Sequence, residues 1–287
     1  MPLQNTRERT YHLVVAYDGT DYFGWQVQPG LQTIQGTLRN AVHKVTGASV
    51  LPQGAGRTDT GVHAAGQAVS LDLPIAIPPE RLSRALNNHL PSAIRVLSVL
   101  DAAPGFHARA NVVDKTYEYR ILCRTPPGCS GERVALPWQT RYAWDCRWPL
   151  DFKAMQAAAG ALEGTHDFTS FAAVDPARTR RLAALGEPLS AVRTIFCSSW
   201  LQAADDCLVY RVTGTGFLHH MVRNIVGTCV EIGSGRRDRE AMHGILAARS
   251  RSSAGATAPP QGLHMMQVRY RQNATTLAET LGEQTVV

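Results

Sequence analysis

No uninterrupted apolar run in this 287-residue sequence approaches the roughly 20 residues that a membrane-spanning helix needs. The opening residues, Met1 to Thr10, are polar and charged and lack the apolar centre of a secretion signal. The expectation is a cytoplasmic protein with no membrane partner. The six cysteines, Cys123, Cys129, Cys146, Cys197, Cys207 and Cys229, contain no C-x-x-C pair, which argues for a reducing compartment and against a zinc ribbon. Cys123 and Cys129 are near neighbours, but no matching second pair follows, so no metal site is expected. Lysine is scarce as well: Lys44, Lys115 and Lys153 are the only lysines among 29 basic residues. Arginine supplies the rest, and it suits bidentate phosphate contacts and stacking on bases. A GC-rich genome would leave the same bias. The net charge of +6 and pI of about 9.2 favour an anionic partner.

The stretch around which the chain is organised runs from Gly54 to Ala64, Gly-Ala-Gly-Arg-Thr-Asp-Thr-Gly-Val-His-Ala. Three glycines surround one carboxylate, Asp59, with Arg57 two residues before it. Glycine allows backbone conformations and close approaches that other residues resist. An Asp displayed on such a loop beside a fixed cation is expected to stay ionised and accessible. An ordinary Asp-Gly turn with an Arg–Asp pair accounts for the segment alone equally well.

Before the loop, Tyr11 to Tyr17 reads as a strand and Thr33 to Thr46 as a helix with Thr33 as N-cap and Gly47 as its stop. Phe23 and Trp25, beside Gln26, Gln28 and Gln35, are either base-stacking or core residues. After it come strand Gln67 to Leu73, helix Pro78 to Leu90 and strand Ile94 to Leu100. This order suggests an α+β sandwich close to the split-βαβ plan. Lys115, Tyr117 and Tyr119 share one face of the next strand, as a nucleic-acid platform or as two packed tyrosines. Thr125 to Pro149 is read as a connecting loop, Phe152 to Leu162 as a helix and Gly164 to Phe171 as a turn. Asp175 to Pro188 reads as a mobile Arg-rich loop. Val192 to Trp200 and Cys207 to Thr213 read as paired strands, Phe217 to Ile232 and Arg239 to Ala248 as helices, and Gly262 to Tyr270 as a last strand. The division expected is an N-terminal half over 1–124, a connecting loop over 125–149, a C-terminal half over 150–272 and a polar tail over 273–287.

Several separated motifs agree on one family. The segment Gly56 to Ala64 resembles the signature of the tRNA pseudouridine synthase A family. So do Ala16-Tyr17-Asp18-Gly19 with Gly24-Trp25-Gln26, the strand Lys115-x-Tyr117-x-Tyr119, the segment Phe217 to Asn224, and Gly262-Leu263-His264-Met265. The resemblance runs in order from about Tyr11 to Tyr270. Departures are Thr60 where alanine is common, His264-Met265 where an aromatic and an aliphatic residue are common, and the lengthened loop at Thr125 to Pro149.

The resemblance implies a cofactor-free, homodimeric isomerase, an intramolecular transferase. Its substrate is the anticodon arm of tRNA, where uridines at the base of the stem and in the adjoining loop become pseudouridine. It implies two similar ferredoxin-like halves forming a continuous, mainly antiparallel sheet flanked by helices, with the active-site cleft between halves. It also implies roles. Asp59 is the catalytic anion, acting at C1′ or at C6 of uracil. Arg57 holds the vacated position or neighbouring backbone, Arg223 pairs with Asp59, and Tyr117 and Leu263 pack on the two sides of the flipped base. His219 and His220 are adjacent, without the H-x-x-x-H spacing of a helical metal pair. Three alternatives stay open: a pseudouridine synthase acting on another RNA, a non-catalytic RNA-binding protein, and a hydrolase using Asp59 with His63.

Overall fold

The computed structural model describes residues 8–110, 112–126, 131–175, 179, 184 and 190–271. Among them the chain forms ten strands and five α-helices, an α+β composition. The Arg-rich stretch Asp175 to Pro188 lies largely outside the described residues, as does the tail over 273–287. Two compact units divide the chain: residues up to Asp114 together with those from Met265 onward, and Lys115–His264.

The first unit contains strands β1 (Arg9–Tyr17), β2 (Gln53–Gly54), β3 (His63–Leu73) and β4 (Ile94–Asp101), and helices α1 (Ile34–Thr46) and α2 (Pro79–His89). It also takes the larger part of β10 (Leu263–Tyr270). The strands lie in the order β4-β1-β3-β10, with β2 paired on β3. Pairing of β1 with both neighbours is antiparallel, and Leu13 stands opposite Val69 of β3 and Val99 of β4. Period-two alternation puts Tyr11, Leu13, Val15 and Tyr17 on one face, and all four are buried. Helix α1 is capped as its sequence demands. Thr33 Oγ1 accepts from Gly36 N–H, and Gly47, at φ 72°, donates its N–H to His43 O in the left-handed C-terminal turn. Its buried stripe is Ile34, Leu38, Ala41 and Val42, which leaves Arg39, Asn40, His43 and Lys44 in solvent. Helix α2 opens on Pro79, packs against α1 and β4, and buries Leu82 and Leu86. Each fully buried aliphatic side chain contributes about 1.5–3 kcal/mol.

A second, smaller cluster, of Ala55, Ala68 and Ala108, packs against Val268 and Tyr270. Small side chains let the backbone at 108 come close, and the Tyr270 hydroxyl donates to Ala108 O at 2.7 Å. His12 is buried between the rings of Phe106 and Tyr270, at 5.1 and 5.3 Å between centroids.

The second unit contains most of β5 (Val112–Cys123), β6 (Trp144–Cys146), α3 (Phe152–Gly160), β7 (Gly164–Asp167), β8 (Val192–Ala204), β9 (Cys207–Gly214), α4 (Met221–Gly233) and α5 (Ala241–Ala248). Its strand order is β5-β9-β8-β7, antiparallel throughout. Two strands, β2 and β3, separate the helices of the first unit, whereas three, β7 to β9, lie between α3 and α4 in the second. Three local expectations need correction. The stretch read as a connecting loop supplies β6, which pairs parallel to β5 from Ile121↔Trp144 to Cys123↔Cys146. The turn at Gly164 is the edge strand β7 followed by a short 3-10 turn over Thr169–Phe171. The helix read from Phe217 starts four residues later, at Met221, because His220 adopts φ 58°, outside the helical region.

Candidate functional site

Asp59 is half-buried on a loop that the first unit fixes from several sides. The end of β1 supplies two of the ties. Tyr17 and Thr58 share a hydrogen bond between hydroxyls at 2.8 Å, buried in the core. Burial also pushes the Tyr17 phenol well above its ordinary range, so it stays a neutral hydroxyl. Next along, Gly19 N–H donates to His63 Nδ1 at 3.1 Å, and Asp18 Oδ1 lies 3.2 Å from the same nitrogen. A proton on Nδ1 favours the Asp18 contact; its absence favours the Gly19 bond.

The loop over 22–25 supplies the next ties. Trp25 N–H donates to Thr58 O at 3.0 Å and Gly61 N–H to Tyr22 O at 3.4 Å. Gly24 is a true requirement here. At φ 76° it sits where L-residues are strained, and a Cβ added to it would fall 2.6 Å from Thr58 O. From β3, Gln67 reads the backbone of Gly56 twice, its amide donating to Gly56 O at 2.8 Å and its carbonyl accepting from Gly56 N–H at 3.3 Å. Gly61, at φ 77°, turns the chain back, and Val62 N–H donates to Asp59 O at 3.2 Å. The loop backbone therefore has hydrogen-bond partners at Gly56, Thr58, Asp59, Gly61 and Val62, while the Arg57 side chain is exposed.

The two readings of Phe23 and Trp25 divide. Trp25 is core, 1% exposed, with its ring on Gly54; Phe23 is 47% exposed. Gln35 is structural, bonding Val27 N–H and Pro52 O.

The other candidate residues belong to the second unit. Tyr117 is buried, edge-on to Phe217 at 5.1 Å. Tyr119 is fully buried, donates its hydroxyl to Pro259 O at 2.7 Å, and has its ring against Gly262; burial raises its pKa well above the ordinary phenol range. The same strand face thus holds one tyrosine pinned at its tip and one whose ring edge meets another aromatic. Arg223, on α4, is half-buried and gives Nε–H to Ala258 O at 2.8 Å, while Ala258 N–H returns a bond to Arg223 O at 3.1 Å. Leu263 follows directly on the 3-10 turn Pro260–Gly262 and is buried. The segment from Ala258 to Leu263 therefore ties Arg223 on α4 to Tyr119 on β5.

His219 and His220 precede α4 rather than riding on it. Their rings lie 4.0 Å apart, tilted by 41°. His219 bonds Val174 O through Nδ1 and accepts from Ala173 N–H on its carbonyl. The left-handed backbone at His220 carries strain of order 1–3 kcal/mol.

Sequence reasoning singled out Asp59, Arg57, Tyr117, Arg223 and Leu263 as candidates through motifs. It missed Tyr17, Thr58 and Gln67 as the fixing set of the Asp59 loop. A glutamine in the middle of an otherwise apolar strand was the available signal, since a fully buried amide needs partners. Burial pushes the thiols of Cys123 and Cys229 up to about 12, which leaves neither of them a ready nucleophile.

Comparison with known proteins adds the following. A family described as tRNA pseudouridine synthase matches residues 13–109 and 158–271. The chain is 45% identical over 262 residues to tRNA pseudouridine synthase A of Solibacter usitatus, covering 91% of this chain and 100% of that protein. It is 42% identical over 270 residues to tRNA pseudouridine synthase A of Halalkalibacterium halodurans, covering 92% and 95%. With the protein of that name from Moorella thermoacetica it shares 42% over 260 residues, 90% and 98%.

Proposed function

The chain belongs to the tRNA pseudouridine synthase family, and from that membership we propose that Asp59 is the catalytic group of an isomerase converting uridine to pseudouridine in the anticodon arm of tRNA. The reaction breaks the N1–C1′ bond, turns the uracil and joins C5 to C1′. The proton leaving C5 is balanced by one gained at N1, so the change is redox-neutral. An anion beside C1′ and C6 serves either route, by stabilising or capturing the sugar cation or by adding to the ring. A glycosidase needs two working carboxylates; the Gly54 to Ala64 stretch has one, which suits an enzyme that keeps its base.

The observation that carries this reading is the fixing of the Asp59 loop. A carboxylate whose backbone is tied at Gly56, Thr58, Asp59, Gly61 and Val62 is preorganised, and positioning of that kind supplies much of a catalyst's advantage. In the same reading Arg57 and Arg223 are substrate-site cations, Tyr117 stacks on the extruded uracil and Leu263 packs against it. The enzyme works as a homodimer in the cytoplasm, with tRNA as its partner.

The test is Asp59→Asn. The change is nearly isosteric and removes the anion, so the variant is expected to fold, to bind tRNA with wild-type affinity and to form no pseudouridine. Turnover near wild type would sink the assignment. For the unmutated protein, free uracil in the product would support the hydrolase alternative, and tRNA binding without any pseudouridine formation would leave an RNA-binding protein.

A further inference from the structure

We propose that the outer face of α1 and the segment Ser49–Leu51 form a second RNA contact, a groove that grips the phosphate backbone of the tRNA away from the reacting uridine. The proposal rests on the tRNA reading above. It starts from the turn at Gly47, whose left-handed backbone ends α1 and sends the chain back. Between helix and returning chain lies an open groove of about 650 Å³. Arg39, Asn40, His43 and Lys44 line its helical wall, Ser49 adds a hydroxyl, and Val50 and Leu51 give it an apolar strip. Arg39 and His43, and likewise Asn40 and Lys44, are four residues apart, so each pair stands one above the other on the same face.

No carboxylate lines the groove. Among the described residues none of Arg39, His43 and Lys44 is in an ion pair, and Arg39 makes one long side-chain bond, to Asn40 Oδ1 at 3.4 Å. His43 and Lys44 complement the partial negative charge of the helix C-terminus, about half a unit. Arg39 lies more than a turn before them, outside the reach of that effect. The surface therefore carries positive charge beyond what the helix uses. Cations interspersed with amide and hydroxyl donors are the set that contacts phosphate and sugar, and the apolar strip suits a ribose face.

The position along α1 says which part of the RNA is meant. Backbone bonds Ile34 N–H to Gly24 O and Gln35 N–H to Trp25 O join the start of α1 to the loop that holds Thr58. Arg39 and Lys44 lie about 8 and 15 Å further along the helix, at 1.5 Å per residue. The groove is thus held on the same unit as Asp59, more than a helical turn beyond the bonds that join α1 to the loop over Thr58.

The experiment compares wild type with Arg39→Gln/Lys44→Gln on full-length tRNA and on an isolated anticodon stem-loop. The double variant is expected to raise KM for full-length tRNA several-fold at low salt while kcat and all parameters for the stem-loop stay unchanged. Its log K against log salt plot for full-length tRNA should be shallower by roughly 1 for each lost phosphate contact. Arg39→Lys, which keeps the charge, should restore most of that slope. An unchanged KM and slope on full-length tRNA overturns the proposal, and so does an equal loss on both substrates, which would put the groove at the reacting stem-loop. If wild type formed no pseudouridine, the functional reading would fall instead, and filter binding alone would still report on the groove.

Discussion

His12 shows how much one side chain can decide. It lies on β1 between Phe106 and Tyr270, and neither ring nitrogen has a hydrogen-bond partner among the described residues. Burial lowers its pKa from 6.5 to about 4. The native state therefore holds a neutral ring where the unfolded chain takes up a proton below about 6.5. Between about 6.5 and 4 the unfolded state binds more protons, so stability falls as pH falls, by about 3 kcal/mol across the window. Thermal midpoints between pH 4 and 7 should show this loss, and His12→Phe should flatten that part of the profile. An identical pH dependence in the variant would remove His12 from the account. Nothing in the sequence marked this residue, because a histidine in an alternating strand reads as a polar position. Asp59 was legible for the opposite reason: glycines and an arginine surround it, and their spacing is local. The tie from Tyr17 joins residues far apart in sequence, 41 positions from Tyr17 to Thr58, and that from Gln67 reaches back 11 to Gly56.

Among elements, the helices with strong caps were the most legible. Thr33 and Gly47 bound α1 within a residue of expectation, since capping chemistry is written next to the helix it ends. The start of α4 was misread because Phe217 and Leu218 extend its apolar pattern, while the left-handed backbone at His220 delays the helix to Met221. Strand β6 was hidden because three residues are too few to show a period. The close passage of the 22–25 loop over Thr58 yields the prediction proper to this scale. Gly24→Ala forces a Cβ towards a carbonyl and a left-handed backbone on alanine, so the two loops must separate. A displacement near 1 Å at a catalytic group can cost about 100-fold in rate. Single-turnover pseudouridine formation should fall by that order while filter-binding affinity for tRNA changes less than about three-fold, because phosphate contacts dominate affinity. Parallel losses in rate and affinity would contradict a positioning role for this loop.

For the whole molecule, the α+β class was readable, because hydrophobic periods and turn residues mark each element in turn. The membership of the last strand was not, because it depends on a pairing between chain segments about 200 residues apart, where Met266 passes against Gly66. The homodimer of the proposed function is a property of this scale. Sedimentation equilibrium at assay concentrations should give about twice the chain mass of 31.2 kDa. A fully active single chain would refute that part.

The first unit draws on both arms of the sequence, with everything from Lys115 to His264 emerging in between. Synthesis proceeds at about 5–20 residues per second, so the ribosome needs roughly 10 to 30 s to pass from one contribution to the other. During that interval β3 waits with the edge that β10 will cover still unpaired. The chain segment bearing Asp59 is thus among the first to leave the ribosome, yet the unit that holds it is among the last to be completed.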